Sequence, residues 1–284
     1  MCAKRRWLEV PQARGSAKLP TAQNIPKCNL CKTFIHMNRT YWEKIAPGYN
    51  DEIFDVLQND VKGIITSSLK MVASPRKTVI DVGCAVGKWL PLLSSVFRRV
   101  IAADISAKNL LIAKNTYPQH DNIEYLRLDM SKNNTQLSKY DVALCVNAML
   151  TDSLKKRKIF LHNLASCIKR KGYLILVVPS LESWLLTRII QRQWSIDKAL
   201  FKEKISGEEA IRRYKNIQVG NAEIDSVITK HYLRDELFLL LSKEGFIVRE
   251  CHKIEYNWRT EFIRPPAWLM EPQPWDWMLL AQKS

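Results

Sequence analysis

The sequence has no long apolar run and no regular cysteine pattern. No apolar stretch approaches the roughly 20 residues that a membrane-spanning helix needs, and no apolar signal-peptide core lies near the N-terminus. The seven cysteines are an odd number without framework spacing, which favours free thiols in a reducing compartment. We therefore expect a globular chain without a membrane span, located in the cytoplasm.

Acidic residues are scarce. The chain has 44 Lys and Arg against 28 Asp and Glu, for a formal charge of +16. Two basic clusters stand out, at residues 155–158 and 169–171. Such an excess is typical of proteins that bind RNA or another polyanion, but it also fits a basic enzyme with scattered charge. We recognise no appended RNA-binding module in the sequence.

Residues 1–36 lack periodicity. They are basic, acid-poor and interrupted by Pro11, Pro20 and Pro26, so we expect a disordered extension. Translation starting at Met37 and an organellar presequence are two alternative explanations of this segment. Cys28 and Cys31 hint at zinc, but no second cysteine pair follows to complete four ligands, and we expect no metal.

From residue 37 onwards, short apolar runs alternate with amphipathic segments. The runs predict strands at residues 78–82, 100–104, 123–129, 141–147, 173–178, 247–256 and 277–282, with helices between them. Near-continuous apolar strands separated by helices are typical of a parallel sheet that is covered on both faces. We therefore predict an α/β fold with a seven-stranded, mostly parallel sheet, and a single domain over residues 37–284.

Two further segments precede and interrupt this pattern. Residues 51–72 have helical periodicity, with Ile53, Leu57, Val61 and Ile64 on one stripe. Residues 181–230 contain no strong strand signal, which predicts a helical insert that covers the substrate, before a last core helix at residues 233–244.

The segment VIDVGCAVGK at residues 79–88 carries the strongest functional signal. A buried strand leads into a glycine-bearing turn and then a helix, an arrangement that lets backbone amides approach a ligand. A P-loop requires a longer spacing and a hydroxyl residue where Trp89 stands. A dinucleotide fingerprint fails at Ala85 and Lys88. The pattern that remains is D-x-G-x-x-x-G.

This pattern resembles the first motif of the class I S-adenosylmethionine-dependent methyltransferases, and residues 38–180 match that family's strand order. The resemblance implies the class I methyltransferase fold, an enzyme, and S-adenosyl-L-methionine as cofactor. One position departs from the family, since Ala85 stands where glycine is usual. The cofactor-binding residues that the resemblance implies are Asp81, Gly83, Ala85, Gly87, Asp104, Asp129, Met130, Asn147, Tyr41 and Tyr49.

The resemblance also assigns roles to several of these residues. Asp104, at the end of the second strand, would bind the ribose hydroxyls, and Asp129 the adenine amino group, with Met130 packing on the ring. Asn147, after the fourth strand, would face the methionine moiety and the methyl group. The N-terminal helix, with Tyr41 and Tyr49, would close over the cofactor.

The acceptor of the methyl group is open. We predict in-line transfer to a small molecule, because the N-terminal helix and the insert would both cover the site. An RNA or protein methyltransferase and a non-catalytic S-adenosylmethionine-binding protein are the alternatives, although no [DN]-P-P-[YFW] motif follows the fourth strand. The candidate catalytic residues are His231, as a general base, and Tyr232; both precede the last core helix and would contact the substrate. The oligomeric state is not predicted.

Overall fold

Nine strands are present in the computed structural model, which describes residues 37–133, 137–198, 205–224 and 227–284. They are Ser74–Val82 (β1), Phe97–Asp104 (β2), Ile123–Arg127 (β3), Tyr140–Val146 (β4), Ile168–Pro179 (β5), Asn221–Ile224 (β6), Val227–Lys230 (β7), Phe246–Glu255 (β8) and Trp275–Lys283 (β9). Each of the seven predicted strands is confirmed, although most of their ends differ from the prediction by one to five residues.

Seven of these strands form one sheet in the order β3-β2-β1-β4-β5-β9-β8. β1 to β5 run parallel, and β9 pairs antiparallel with both β5 and β8. The chain leaves β1 towards β2 and β3 and then returns to the other side of β1 for β4. The predicted seven-stranded, mostly parallel sheet is therefore confirmed, and the order of its strands reverses between β1 and β4, where open α/β sheets form ligand crevices.

Ten α-helices accompany the strands in the described residues. They are Arg39–Ile45 (α1), Tyr49–Glu52 (α2), Val56–Asn59 (α3), Ile64–Val72 (α4), Leu90–Val96 (α5), Ala107–Thr116 (α6), Leu154–Ser166 (α7), Leu181–Gln193 (α8), Gly207–Gln218 (α9) and Arg234–Lys243 (α10). Apolar side chains of α4, α5 and α6 pack in the core on one face of the sheet, and those of α7 and α10 pack on the other. Both faces of the parallel strands are thus covered.

The prediction of one helix over residues 51–72 was wrong. The segment contains the short helices α2 and α3 and then α4. Helix α4 begins after Gly63, whose backbone is in the left-handed conformation at φ 62°. The Asp60 carboxylate accepts hydrogen bonds from the backbone N–H groups of Ile64 and Ile65, both at 2.9 Å, and so caps α4. Val61, which the helical pattern places on the apolar stripe, is 88% exposed.

The insert at residues 181–230 is not entirely helical, contrary to the prediction. It contains α8 and α9 but ends in the antiparallel hairpin of β6 and β7. The β-branched residues of Val227–Lys230 favour a strand, and the whole of β7 is buried. Its last residue, Lys230, donates its backbone N–H to the carbonyl of Leu150 at 3.0 Å, which ties the hairpin to the segment after β4.

Residues 1–36, with Cys28 and Cys31, lie outside the described residues, so the predicted extension stays a prediction. The assignment of residues 37–284 to a single domain likewise stays a prediction. Within the described residues, no helix combines the length and apolar character that crossing a bilayer requires.

Candidate functional site

The turn after β1 depends on the absence of a side chain at Gly83. Its φ is 76°, and a Cβ atom there would lie 2.4 Å from the Cβ of Ala148, which follows β4. Gly87 has φ 85°, and a Cβ there would meet side chains of Leu90 and Ala113. The two glycines therefore serve different contacts. Gly83 lets the turn approach the end of β4, and Gly87 lets it pack against α5 and α6.

Asp104, the last residue of β2, organises the same turn. One of its carboxylate oxygens accepts the backbone N–H of Ala85 at 2.9 Å, and the other accepts that of Ser106 at 2.8 Å. Ala85 is held in a left-handed conformation at φ 49°. The carboxylate is 7% exposed, so burial, the largest influence on it, raises its pKa, which these hydrogen bonds partly offset.

A cavity opens at the carboxyl ends of the parallel strands, beside the turn. It encloses about 1260 Å³ including the solvent at its mouth. Eight of the ten residues predicted from the resemblance line it: Asp81, Gly83, Ala85, Asp104, Asp129, Met130, Asn147 and Tyr49. The strand order thus brings together Asp81 and Asn147, which lie 66 positions apart in the sequence.

Asp81, near the end of β1, is an unusual carboxylate. It is 2% exposed, and its Oδ2 atom is buried without a hydrogen-bond partner. Burial, followed by the negative charge of Asp104, raises the pKa of Asp81 to about 8. A buried acceptor atom without a partner is costly, so this position favours a ligand that brings a hydrogen-bond donor or a positive charge.

Asn147, the residue after β4, provides a second acceptor of this kind. Its backbone has φ 47°, which asparagine tolerates better than most residues. Its Nδ2 donates to a carboxylate oxygen of Asp276 in β9 at 2.9 Å, and its Oδ1 is buried without a partner.

Asp129 follows β3 on the same side of the sheet. Its Oδ1 accepts from the backbone N–H of Ser131 at 3.0 Å and from the Ser131 hydroxyl at 2.6 Å. Both Asp129 and Ser131 line the cavity. Met130 is 4% exposed and belongs to the core cluster as well as to the cavity wall.

The N-terminal helix α1 lies against the cavity. The carboxylate of Glu43 accepts the backbone N–H groups of Ala107 at 2.9 Å and Lys108 at 3.2 Å, and so attaches α1 to the start of α6. Trp42 and Tyr49 line the cavity. This arrangement is that of a helix closing one side of the site.

Four of the predicted site residues lie away from the cavity wall. Gly87 packs within the turn, as described above, and Tyr41 packs edge-on against the ring of Trp42. His231 and Tyr232, the candidate substrate contacts, are 2% and 1% exposed and do not line the cavity. Burial lowers the pKa of His231 to about 3, and the Tyr232 hydroxyl donates to the Met149 carbonyl at 2.8 Å, so both are held within the fold.

An ion pair at the cavity has no counterpart among the sequence predictions. Lys88 Nζ lies 2.7 Å from Asp55 Oδ2, and both residues line the cavity together with Tyr49. Lys88 also lies 6.0 Å from the centre of the Tyr49 ring. The helical pattern places residue 55 inside a continuous helix, which gives its side chain no role. The observed break before α3, where Asp55 caps the helix, directs it to the site.

Comparisons with known proteins agree with this geometry. Residues 79–172 match the family described as "Methyltransferase domain". The protein named "Putative methyltransferase 235L" of Invertebrate iridescent virus 6 is 28% identical over 115 residues, which is 40% of this chain and 41% of the viral protein. The matched segment thus spans less than half the length of that curated relative.

Solved structures share the fold at low sequence identity. An S-adenosylmethionine-dependent methyltransferase from Mesorhizobium loti is 13% identical, with a TM-score of 0.56 over 81% of this chain and 100% of that one. The N-methyltransferase NodS from Bradyrhizobium japonicum, in complex with S-adenosyl-L-homocysteine, is 11% identical, with a TM-score of 0.55 over 86% of this chain and 97% of that one.

The predicted class is therefore confirmed. The chain has the class I methyltransferase fold, and its residues 79–172 match the methyltransferase domain family. The segment that matches the family runs from β1 into β5, so it includes the turn at Gly83, Asp104 and the end of β4.

Proposed function

We propose that this protein transfers a methyl group from S-adenosyl-L-methionine to a small acceptor that is neutral or positively charged. The observation that carries the proposal is the cavity at the reversal of strand order, where Asp81 and Asn147 each present a buried oxygen without a partner. The cofactor would supply a methyl group on a positively charged sulfur. The protein would bind and orient the two reactants.

The cavity wall fits the cofactor chemically. S-adenosylmethionine brings hydrogen-bond donors at its ammonium group, its ribose hydroxyls and its adenine amino group, and it carries a positive sulfonium. The unpartnered oxygen of Asp81 suits the ammonium end, and the carboxylates of Asp104 and Asp129 would accept hydrogen bonds from the ribose hydroxyls and the adenine amino group. The match between donors on the ligand and acceptors on the wall supports the cofactor assignment for this chain.

The charge of the wall supports a neutral or cationic acceptor. Asp55, Asp104 and Asp129 line the cavity beside Asp81, which its raised pKa keeps largely protonated at neutral pH until a cation binds, whereas Lys88 is the one basic residue among the described lining residues and is paired with Asp55. A cavity with excess carboxylate attracts cations and repels phosphate and carboxylate groups. This distribution favours a small amine or alcohol over an anionic acceptor.

An RNA acceptor is the second candidate, because of one specific feature. Lys155 and Lys156 are exposed at the start of α7, and Thr151, a few residues earlier, lines the cavity. These cations lie close in sequence to the cavity wall, where they would contact the phosphates of a polymer that reaches into the site. A protein acceptor and binding without transfer are further alternatives.

Release of S-adenosylhomocysteine tests these possibilities. The full-length chain would be incubated with S-adenosylmethionine and, separately, with panels of small amines, alcohols, carboxylates, RNA and protein. We expect turnover with members of the neutral or cationic panels, lost in Asp104→Ala and retained in Asp141→Ala, whose carboxylate lies at the opposite end of the sheet. Turnover with RNA that falls steeply with salt would favour the RNA alternative. Cofactor binding without turnover in any panel would contradict the enzymatic proposal.

A further inference from the structure

Asn147 is connected to a residue two strands away in the sheet that none of the sequence motifs described above includes. Asp276 lies in β9, 129 positions further along the chain, and accepts the Asn147 Nδ2 hydrogen bond. The Tyr256 hydroxyl also donates to Asp276 Oδ2, at 2.9 Å. Asp276 is 2% exposed and pairs within the sheet with both Pro179 in β5 and Ile254 in β8. Its carboxylate is therefore held in place by the sheet and by Tyr256.

This contact determines which end of the amide is free. A carboxylate only accepts hydrogen bonds, so the NH₂ group of Asn147 must face Asp276 and the carbonyl oxygen must face away from it. That oxygen is buried and has no hydrogen-bond partner, although Asn147 lines the cavity. The Asp276 carboxylate thus makes Asn147 an acceptor towards the site.

We propose that Asp276 is a positioning residue. It fixes the Asn147 amide so that the amide oxygen accepts a hydrogen bond from an N–H group of the molecule that receives the methyl group. The atom that is methylated is then an amine nitrogen. This inference rests on the proposed function. It adds to that function the atom that receives the methyl group, and a residue, Asp276, that acts through Asn147.

An amine fits the surroundings better than a hydroxyl. A hydroxyl has a single proton, which it must lose before or during attack, and an amide oxygen such as Asn147 Oδ1 is too weakly basic to take it. An amine that arrives protonated first loses one proton to solvent. The neutral amine can then donate one N–H and still attack with its own lone pair. One hydrogen bond from the amine N–H to Asn147 Oδ1 would orient that lone pair towards the methyl carbon. The N–C bond forms as the C–S electron pair passes to sulfur, and the new ammonium then loses a proton to solvent.

A cofactor analogue tests this without knowledge of the acceptor. Sinefungin carries a C–NH₃⁺ group where S-adenosylmethionine carries S–CH₃. S-adenosylhomocysteine has neither an amine nor a methyl group at that position. The ratio of their dissociation constants, measured by calorimetry on the full-length chain, therefore reports an acceptor oxygen at the transfer position. We expect wild-type protein to bind sinefungin at least about tenfold more tightly than S-adenosylhomocysteine, because one hydrogen bond to a charged group contributes about that much.

Two variants and one control make the test specific. Asp276→Ala removes the acceptor of the Asn147 Nδ2 group and frees the amide to rotate, and Asn147→Gly removes the amide while tolerating the positive φ. Both should reduce the ratio to about one, from the roughly tenfold preference for sinefungin. Asp141→Ala makes the same chemical change in a carboxylate that accepts from Thr78 and Lys169, and it should keep the wild-type ratio.

The outcomes separate the two proposals. If S-adenosylhomocysteine binds but the ratio is the same in wild type, Asp276→Ala and Asn147→Gly, the positioning role and the amine assignment are overturned while the cofactor site stands. If the folded wild-type protein binds neither compound, the proposed function itself fails. Binding of S-adenosylhomocysteine to each variant shows that a change in the ratio is not caused by unfolding.

Discussion

The carboxylate of Asp104 accepts the backbone N–H of Ala85 at 2.9 Å, so the end of β2 holds the turn that follows β1. The bond keeps Ala85 at φ 49°, in a region where an alanine side chain is strained. Ala85, which stands where the family usually has glycine, thus still has the backbone conformation that a glycine would adopt freely.

Replacing Ala85 by glycine should stabilise the protein. The left-handed conformation costs alanine about 1–2 kcal/mol, and the greater freedom of glycine in the unfolded chain offsets about 0.4–1 kcal/mol of this relief, so we expect a net gain of about 0.5–1 kcal/mol in the free energy of unfolding. Urea denaturation measures it. Ala73→Gly is the matched control, because Ala73 has φ −72° and should be destabilised. Destabilisation of both variants to the same extent would show that Ala85 is not strained.

Gly83→Ala should damage the turn more than a positive φ alone explains. The new Cβ would lie 2.4 Å from that of Ala148, so the ends of β1 and β4 must separate. We expect a loss of about 2–4 kcal/mol in unfolding free energy, from overpacking and backbone strain together. Gly63→Ala provides the comparison. It has φ 62° and nothing within 4 Å of the added atom, so it should cost only about 1 kcal/mol. Equal costs for the two variants would contradict the close approach.

Asp81 should make the stability of the ligand-free protein depend on pH. Its pKa is raised to about 8 by burial and by Asp104, against about 3.9 in an unfolded chain. The folded state therefore binds this proton more tightly than the unfolded state does. The stability that protonation of Asp81 contributes is complete below about pH 4 and is lost as pH rises towards 8. The loss has a maximal slope of about 1.4 kcal/mol per pH unit.

Asp81→Asn removes this dependence. We expect urea denaturation at pH 5, 6 and 7 to give a flatter profile for this variant than for wild type. The exposed Asp121, changed to asparagine, should leave the wild-type slope intact. Parallel profiles for wild type and Asp81→Asn would mean that Asp81 titrates like an ordinary carboxylate.

The sheet and the position of most of the proposed cofactor residues around one cavity could be predicted because they depend on local sequence. Apolar runs such as that ending at Val82 define parallel strands, and the D-x-G-x-x-x-G pattern marks the turn between β1 and α5. Because the carboxyl ends of parallel strands meet at one edge of the sheet, the sequence alone places Asp104 and Asn147 at the site.

The remaining features depend on long-range contacts. The break that directs Asp55 to Lys88 results from short helices whose periodicity resembles that of one long helix. The pairing of Asn147 with Asp276 joins residues 129 positions apart, through an antiparallel strand at the end of the chain. His231 follows a hairpin that has no helical or glycine signal in the sequence, and only the packing of that hairpin reveals that His231 is buried.

Calorimetric titration of S-adenosylmethionine into the full-length protein tests the central claim most directly. Wild type should bind one equivalent, and Asp104→Ala should weaken binding by about 100-fold or more, because it removes the acceptor of the Ala85 N–H and the carboxylate proposed to bind the ribose hydroxyls. Asp141→Ala removes a carboxylate that also accepts a backbone N–H, from Thr78 at 2.8 Å, but outside the cavity, and it should bind like wild type. Absence of binding to folded wild-type protein, or equal loss in both variants, would contradict the account.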